Sequence, residues 1–354
     1  MTEPLPPFSC TCTPGLAELL AELGCSLVLS TYQAGKVIIF SAGPQGLVQL
    51  PRNFNKPMGL AVDAQRMAIA TRDEVVVLAN APVLAESYAV GGNRYDGLFV
   101  PRAVYFCGEL DLHDLAWHDQ ALWAVNTRFS CLCQIDDQFS FIPKWQPTFV
   151  SALAPDDRCH LNGLALVDGA PLYVTALGAS DTPKGWRAQK LDGGVLAHVP
   201  SGEIVTSGLL MPHSPRVYAG QLYLLNSAAG ELITVDPATG KHETIARLPS
   251  FVRGLARHGD YLFVGQSKLR QGRSLGDSAP LAQQALLSGW AAVHLPSGRV
   301  VGSLHYLNSC EEIYDIQVLP GLRRPGILGI DQPLHRSALS TPDHGFWGQP
   351  NSQA

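Results

Sequence analysis

Charged side chains are scarce in this 354-residue sequence, at 16% against roughly a quarter in typical soluble domains. No basic excess exists: 25 Lys and Arg against 30 Asp and Glu give a formal net charge of −5, which argues against a nonspecific nucleic-acid binder. No run approaches the ~20 apolar residues that cross a bilayer, and Met1 to Thr13 lacks a secretion signal. We therefore expect a cytoplasmic protein with neither a nucleic-acid nor a membrane partner.

Signature motifs of catalysis are also missing. The sequence has no Gly-x-Ser-x-Gly nucleophile motif and no phosphate-cradling glycine loop, so covalent acyl chemistry has little support. The eight cysteines lie in a chain without an export signal, so most of them should be reduced. Cys131 and Cys133 lie two apart on a predicted strand, which favours a pair of buried small side chains over a metal site.

Turn-forming residues are abundant, with 34 Gly and 26 Pro, and they favour many short strands over long helices. One two-strand pattern recurs along the chain. The first strand alternates apolar residues after a small or acidic start, and the second is apolar and ends in a polar residue. First strands begin at Gly59, Asp114, Gly163, Pro215, Gly254 and Asp315, and second strands occupy 67–71, 122–126, 172–176, 222–226, 262–266 and 327–331.

Third strands and a variable fourth follow in most repeats, which is typical of the four-stranded blades of a β-propeller. The six repeats predict an all-β fold, a six-bladed β-propeller. Outer strands at 26–30, 36–41 and 47–50 have no inner strand before them. The strand that begins at Asp315 can complete their blade, so we predict closure of one blade by both chain termini. A seventh blade, with 26–30 as its own inner strand, stays open as the alternative.

Three segments follow from this interpretation. We expect an N-terminal segment over 1–25 with a short capping helix at 14–23, a single propeller over 26–334, and a C-terminal tail over 335–354. The tail is rich in Ser, Pro and Gly, which is typical of a surface strap or a disordered end.

Polar residues converge on one mouth of the predicted channel. In each antiparallel blade, the start of the innermost strand and the end of the second strand lie at the same edge. Polar groups there need partners or a ligand, and convergent polar groups in a pocket favour a ligand site. At the strand starts lie His113, Asp114, His160, Asn162, His213, Arg253, Glu312 and Asp315, and at the strand ends lie Asn126, Asn226, Gln266 and Asp331.

Cations gather in the loops of this same edge although the chain is acidic overall. Arginine matches carboxylate, phosphate or sulfate in a two-pronged geometry, so we predict a small anionic ligand. Solvated loop charges are the alternative. The loop cations are Arg102, Arg128, Arg158, Lys184, Arg187, Lys268 and Arg270. As ligand-binding residues we predict Asn126, Arg128, Asn162, Asn226, Arg253, Gln266 and Asp315.

A long insertion at 266–290 belongs to the same edge. Long loops at functional sites are typical of lids. The alternative is a contact with a neighbouring subunit, which leaves an oligomer open.

Three histidines, His113, His160 and His213, precede consecutive inner strands. Three imidazoles around one point are a known catalytic arrangement for zinc and similar metals, and hydrogen-bonded structural histidines are the alternative. Asp114 and Glu312 add carboxylates for acid–base work. The catalytic candidates are therefore His113, Asp114, His160, His213 and Glu312, and the candidate cofactor is one divalent metal ion held by the three histidines.

Several long strings resemble a bacterial family of conserved, uncharacterised proteins, some of them joined to tetratricopeptide repeats. The resemblance runs from about Leu19 to Gly321 and implies no reaction. The strings are STYQAGK at 30–36, FNKPMGL at 54–60, LWAVNTRFSCL at 122–132, CHLNGL at 159–164, MPHSPR at 211–216 and DIQVLPG at 315–321. The blades are also similar to those of gluconolactonase and strictosidine synthase-like propellers, which carry a divalent metal or acid–base residues in the channel mouth. Their ligand motifs do not align here, so no metal site is transferred.

Two functions remain open at this point. The first is an enzyme that acts on a small anionic metabolite or modified amino acid by metal-assisted or acid–base hydrolysis, elimination or isomerisation. The second is a non-catalytic ligand-binding or protein-interaction propeller. The second expects a plugged channel and an exposed apolar patch around Trp145, Phe149, Trp186 or Trp290.

Overall fold

The computed structural model describes residues 4–88, 95–269, 280–281 and 284–348. Its strands are short, because turns interrupt the apolar segments every few residues. The strands are β1 (Cys10–Cys12), β2 (Cys25–Thr31), β3 (Lys36–Gly43), β4 (Gly46–Asn53), β5 (Leu60–Val62), β6 (Arg66–Ala70), β7 (Glu74–Asn80), β8 (Gly97–Phe106), β9 (Leu112–His118), β10 (Ala121–Asn126), β11 (Cys131–Gln134), β12 (Ile142–Trp145), β13 (Leu161–Val167), β14 (Ala170–Ala176), β15 (Gly194–His198), β16 (Ile204–Leu209), β17 (Pro212–Tyr218), β18 (Gln221–Asn226), β19 (Glu231–Val235), β20 (His242–Arg247), β21 (Phe251–His258), β22 (Tyr261–Ser267), β23 (Gly289–His294), β24 (Arg299–Tyr306), β25 (Asp315–Pro320), β26 (Pro325–Ile327), β27 (Ala338–Ser340) and β28 (Gly345–Trp347).

Six small antiparallel sheets form the blades of a six-bladed β-propeller, as the sequence predicts. Blade 1 is β25-β2-β3-β4, and the other blades follow in chain order. Blade 2 is β5 to β8, blade 3 is β9 to β12, blade 4 is β13 to β16, blade 5 is β17 to β20, and blade 6 is β21 to β24. The innermost strands contact one another in a closed ring around the axis.

Blade 1 is built from both ends of the chain. β25 supplies its innermost strand and pairs antiparallel with β2, from Asp315 opposite Ser30 to Pro320 opposite Cys25. The predicted closure is therefore confirmed, and the seven-blade alternative is wrong because β2 is the second strand of a blade and not an inner strand.

The prediction of a second strand at 327–331 is wrong. β2 already occupies that place in blade 1, so β26 adds instead as a parallel strand on the outer edge of β8 in blade 2. Asp331 lies outside the channel and accepts a hydrogen bond from Asn53 Nδ2 at 2.6 Å. A similar outer pairing joins β1 to β24, and both pairings cover an edge that would otherwise be open.

Apolar side chains fill the six seams between neighbouring blades, because successive residues of a strand point to opposite faces and supply both neighbours. Helix α1 (Leu16–Leu23) closes the seam between blades 6 and 1 with the buried residues Leu16 and Leu20. Trp290 is fully buried in this seam, so it forms no part of the exposed patch that the interaction propeller expects.

The C-terminal hairpin of β27 and β28 lies against the short helix α2 (Pro82–Ala85) beside blade 2. Trp347 stacks on Tyr88 with ring centroids 5.5 Å apart. Arg102 donates hydrogen bonds to the Ala338 carbonyl and the Ser340 hydroxyl. Arg102 thus binds this hairpin on the outside of blade 2 and contributes nothing to the mouth.

Neighbouring inner strands approach closely at alternate seams. A Cβ atom on Gly59 of blade 2 would lie 2.8 Å from Asp114 Cα of blade 3, and one on Gly254 of blade 6 would lie 2.7 Å from Ile316 N of blade 1. No side chain fits in either position, so glycine is required for the close contact.

The residue packed on each glycine also bonds to the blade on its other side. Asp114 accepts the Leu164 N–H, and Asp315 accepts the Leu60 N–H. In blade 5, the Ser214 hydroxyl accepts the Gly254 N–H. The glycine of blade 4 is Gly163, where a Cβ would lie 2.3 Å from Pro215 Cδ of blade 5. Blades 1, 3 and 5 thus supply side-chain acceptors, while blades 2, 4 and 6 supply glycine.

Candidate functional site

A cavity of about 890 Å³ opens at the predicted mouth, lined by residues from all six blades. The polar candidates at the strand starts and several loop cations come together there. Those that line the cavity are His113, Arg128, His160, Lys184, Arg187, His213, Arg253, Lys268 and Glu312. Sequence positions spread over some 200 residues therefore form one surface.

Four predicted amides lie behind the cavity and not on it. Their side chains point back into the strand ends, where buried polar groups require partners. Asn126 and Asn226 accept backbone N–H groups of the neighbouring loops, from Phe129 and Leu210 respectively. Asn162 accepts a hydrogen bond from Thr175, and Gln266 donates one to Ser250. None of the four lines the cavity, so we correct their predicted binding role to a structural one.

The other predictions for the loops concern Arg158, Arg270 and the lid at 266–290. Arg158 is held by ion pairs to Asp156 and Asp181 and does not line the cavity. Arg270 lies outside the described residues, as do positions 270–279 and 282–283 of the predicted lid at 266–290. Leu281, one of the described residues of that insertion, is buried and packs with Ala228.

Asp114 and Asp315 form a buried network with Arg216 inside the channel rather than on the cavity wall. The Arg216 guanidinium binds both Asp114 oxygens, at 2.7 and 3.0 Å, and its Nη2 lies 3.9 Å from Asp315 Oδ1. Burial and the charge of Asp114 raise the pKa of Asp315 to about 7, against the opposing effect of Arg216. We correct the predicted catalytic role of Asp114 and the binding role of Asp315, because both carboxylates are engaged by Arg216 and backbone N–H groups.

His160 forms the best-oriented acid–base pair of the site. Its Nδ1 lies 2.9 Å from Asp157 Oδ1, and the Trp186 indole N–H donates to Asp157 Oδ2 at 3.0 Å. A carboxylate on Nδ1 holds that proton, so Nε2 carries the lone pair of the neutral ring. Asp157 was not among the sequence candidates. Its position three residues before His160 is the signal that could have found it.

His113 packs edge-on against His160, with ring centroids 4.8 Å apart. Its Nδ1–H donates to the Asp111 carbonyl at 2.9 Å. Burial lowers the pKa of His113 well below its usual range, and the charges of His160 and Arg253 lower it further. His113 is therefore neutral at pH 7.

The predicted three-histidine metal centre is not assembled. His213 Nδ1 lies 2.9 Å from both the Met211 carbonyl and the Ser227 hydroxyl, and its ring packs on Phe251. Within residues 4–88, 95–269, 280–281 and 284–348, no three His, Cys, Asp or Glu side chains are grouped to hold a metal ion. We therefore assign none of the three histidines as a metal ligand.

Backbone conformation around the cavity is unusual. Five non-glycine residues of its lining have positive φ angles, which L-residues adopt at a cost. They are Asp111 (φ 52°), Asp157 (50°), His160 (53°), Lys184 (52°) and Met211 (56°). Strain of this kind clusters at functional sites, and here it includes both Asp157 and His160, which hydrogen-bond each other.

Positive charge dominates the cavity lining. The lining has six cationic side chains and three acidic ones, which are Asp111, Asp157 and Glu312. The cations are Arg128, Lys184, Arg187, Lys190, Arg253 and Lys268. The whole chain carries a formal charge of −5, so the charge of the cavity lining is opposite to that of the protein. A positive cavity favours an anionic ligand.

No helix in the described part of the chain is both long and apolar enough to span a membrane.

Two solved structures share the fold at low sequence identity. A chain from the crystal structure of a nidogen/laminin complex is 11% identical, with a TM-score of 0.54, and the match covers 84% of this chain and 99% of the other. A protein of unknown function from Bacteroides caccae is also 11% identical, with a TM-score of 0.50 over 83% of this chain and 98% of the other. Likeness at this identity shows the fold alone. No curated protein matches the chain.

The sequence also matches a family model across most of its length. That model is described as a domain of unknown function, DUF4915, and it covers residues 14–328. The expected membership of an uncharacterised propeller family is thereby confirmed. The chain belongs to the DUF4915 family.

Proposed function

We propose that this propeller is an enzyme that catalyses proton transfer on a small anionic substrate in its channel mouth. One observation carries the proposal: His160, oriented by Asp157, faces a cavity whose lining reverses the charge of the protein. The acid–base version of the predicted chemistry is favoured over the metal-assisted one, because the three histidines are not grouped as metal ligands in the described residues.

His160 is the candidate general base. Asp157 accepts its Nδ1–H and stabilises the imidazolium that forms when Nε2 takes a proton from the substrate or from water. The Trp186 N–H fixes the second oxygen of Asp157, so the carboxylate cannot rotate away. Trp186 and Asp157 are positioning residues in this scheme, because both act through His160.

His113 limits the imidazole pair to one proton. Its ring touches His160, and two imidazolium ions in contact would repel each other. Once His160 has taken a proton, the pair holds that proton until it is returned to the substrate. Abstraction and return of a proton are the elementary steps of isomerisation and elimination, and the same base can activate water for hydrolysis.

A deuterium-exchange assay tests this proposal. The purified protein would be incubated in D2O with a panel of small carboxylates, sugar acids and their lactones, and proton NMR would follow α-proton exchange and product formation. We expect turnover of at least one compound by the native chain. His160→Asn and Asp157→Asn should lower the rate by about 10²–10⁴-fold.

His294→Asn is the matched control. His294 hydrogen-bonds Ser297 through Nδ1 at 2.9 Å, as His160 bonds Asp157, but it lies at the end of β23 and does not line the cavity. This variant should keep the native rate. Equal rates in native protein and His160→Asn would refute the assignment of His160 as the base.

A further inference from the structure

An unbroken row of aromatic rings runs along the cavity wall, with a cation at each end. Each member contacts the next, and all six line the cavity. The row consists of Arg253, Tyr314, His113, His160, Trp186 and Arg187. The acid–base pair thus lies in the middle of the row and not at either end.

The inner end of the row is a buried guanidinium. Arg253 is 7% exposed, and its Cζ lies 3.3 Å from the centroid of the Tyr314 ring. Its Nη2 has no hydrogen-bond partner among the residues that the structure describes. A buried charged donor left in this state is costly, so an acceptor held in the cavity would stabilise it.

Glu312 sets the charge that this acceptor can carry. Its Oε1 lies 3.9 Å from Arg253 Nη1, so the guanidinium is already partly balanced on one side. A planar monoanion on the other side completes the balance and matches the two-pronged geometry of the guanidinium. A carboxylate fits this description better than a doubly charged phosphate.

The outer end of the row is a group of exposed cations. Arg187 lies over Trp186, with its Cζ 5.5 Å from the ring centroid, on a short 3-10 helix at Gly185–Gln189. Lys184 precedes that helix and is exposed. In the described part of the chain neither cation makes an ion pair, whereas Arg158 nearby is paired with two aspartates.

We propose that the substrate is a small dianion with a carboxylate against Arg253 and a second anionic group against Lys184 and Arg187. Its reacting atoms then lie between these ends, over His113 and His160. The inference rests on the proposed proton-transfer function and adds the substrate class. Two-point binding would hold the reacting atoms at the base, which is how binding energy is converted into rate.

Calorimetric titration of the native chain with matched acids tests the proposal. The probes are the linear dicarboxylates from malonate to sebacate, each compared with the monocarboxylate of equal chain length, because five successive contacts of 3.3 to 5.5 Å separate the two cations. We expect one dicarboxylate length to bind best, roughly tenfold tighter than its monocarboxylate.

Two variants locate the two ends of the row, and a third is the control. Arg253→Gln should weaken both classes of acid by roughly tenfold or more. Lys184→Gln/Arg187→Gln should remove the dicarboxylate advantage and leave monocarboxylate binding unchanged. Lys144→Gln is the control, because Lys144 is an exposed cation on β12 away from the cavity, and it should bind like the native chain. Since Lys184 and Arg187 lie on the surface, their variant stays informative even if Arg253→Gln unfolds.

Three results would overturn the dianion proposal: equal affinity for both classes, a dicarboxylate advantage that survives Lys184→Gln/Arg187→Gln, or no dicarboxylate binding at all. None of these alters the rate loss expected of His160→Asn. Conversely, normal dicarboxylate binding with unchanged turnover in His160→Asn would refute the proton-transfer function alone.

Discussion

His113 has a consequence for stability as well as for catalysis. Burial holds its pKa well below the usual range in the folded protein, whereas an unfolded histidine has a pKa of about 6.5. The unfolded chain therefore binds this proton more tightly, and acid favours unfolding. Protonation of His113 therefore costs no stability above about pH 6.5. The free energy of unfolding falls progressively as the pH drops below that value.

We expect His113→Gln to flatten the fall in unfolding free energy between about pH 7 and pH 5. Urea titrations at several pH values in this range would measure the slope for each protein. His294→Asn is the comparison, because it removes a half-buried histidine at the end of β23 that does not line the cavity. An identical slope in His113→Gln and native protein would contradict the cause assigned to it.

Single residues differ in how well the sequence reveals them. His113, His160, His213, Arg253 and Glu312 were found because strand starts converge on one mouth, a property of the repeat itself. The amides Asn126 and Asn226 follow the same rule but turn inward to hold loops. That difference depends on loop conformation, which the strand pattern does not encode.

A charged residue within an apolar strand predicts an oppositely charged partner in the core. Arg216 interrupts an alternating apolar strand, and a cation at such a position needs buried carboxylates. It finds them in Asp114 and Asp315, from 102 residues before and 99 residues after it in the chain. The partners of Arg216 depend on how the blades are arranged around the axis, so the sequence alone could not identify them.

At the scale of elements, the close contacts between inner strands give a sharp prediction. Gly254→Ala places a Cβ 2.7 Å from Ile316 N in addition to a positive φ of 82°. Gly220→Ala is the matched control, because φ is 77° there and nothing lies within 4 Å. We expect losses of unfolding free energy of about 1 kcal/mol in the control and about 2–4 kcal/mol in Gly254→Ala.

Urea unfolding at one pH measures both losses. Similar losses in the two variants would mean that the backbone conformation, and not the contact between blades 6 and 1, makes glycine necessary at position 254.

Strand prediction failed where pairing is not local. The inner strands alternate apolar and small residues, so their pattern is enough to identify them. Residues 327–331 are apolar enough for a strand, but the place expected for them is held by β2, and β26 joins blade 2 in parallel. No local feature of the sequence shows whether β2 or residues 327–331 will pair with β25. That choice depends on how the blades close into a ring.

At the scale of the molecule, ring closure depends on β25. A chain that ends at residue 314 lacks the inner strand of blade 1, which exposes β2 and opens the seam with blade 6. We expect this truncation to lose cooperative thermal unfolding and near-ultraviolet circular dichroism. A chain that ends at residue 348 keeps every described element and should melt as the native chain does. A cooperative transition in the shorter chain would show that five complete blades suffice.

The alternation of glycine and side-chain acceptors at the axis restricts how such a protein can grow or shrink. Insertion of one extra blade would place two acceptor blades or two glycine blades side by side. The first arrangement produces a steric clash, and the second leaves a gap with N–H groups that lack an acceptor. Insertion or removal of an adjacent couple keeps the order intact. For this architecture the unit of duplication is therefore the blade pair, and even-numbered rings are the sizes it can reach without rebuilding its axis.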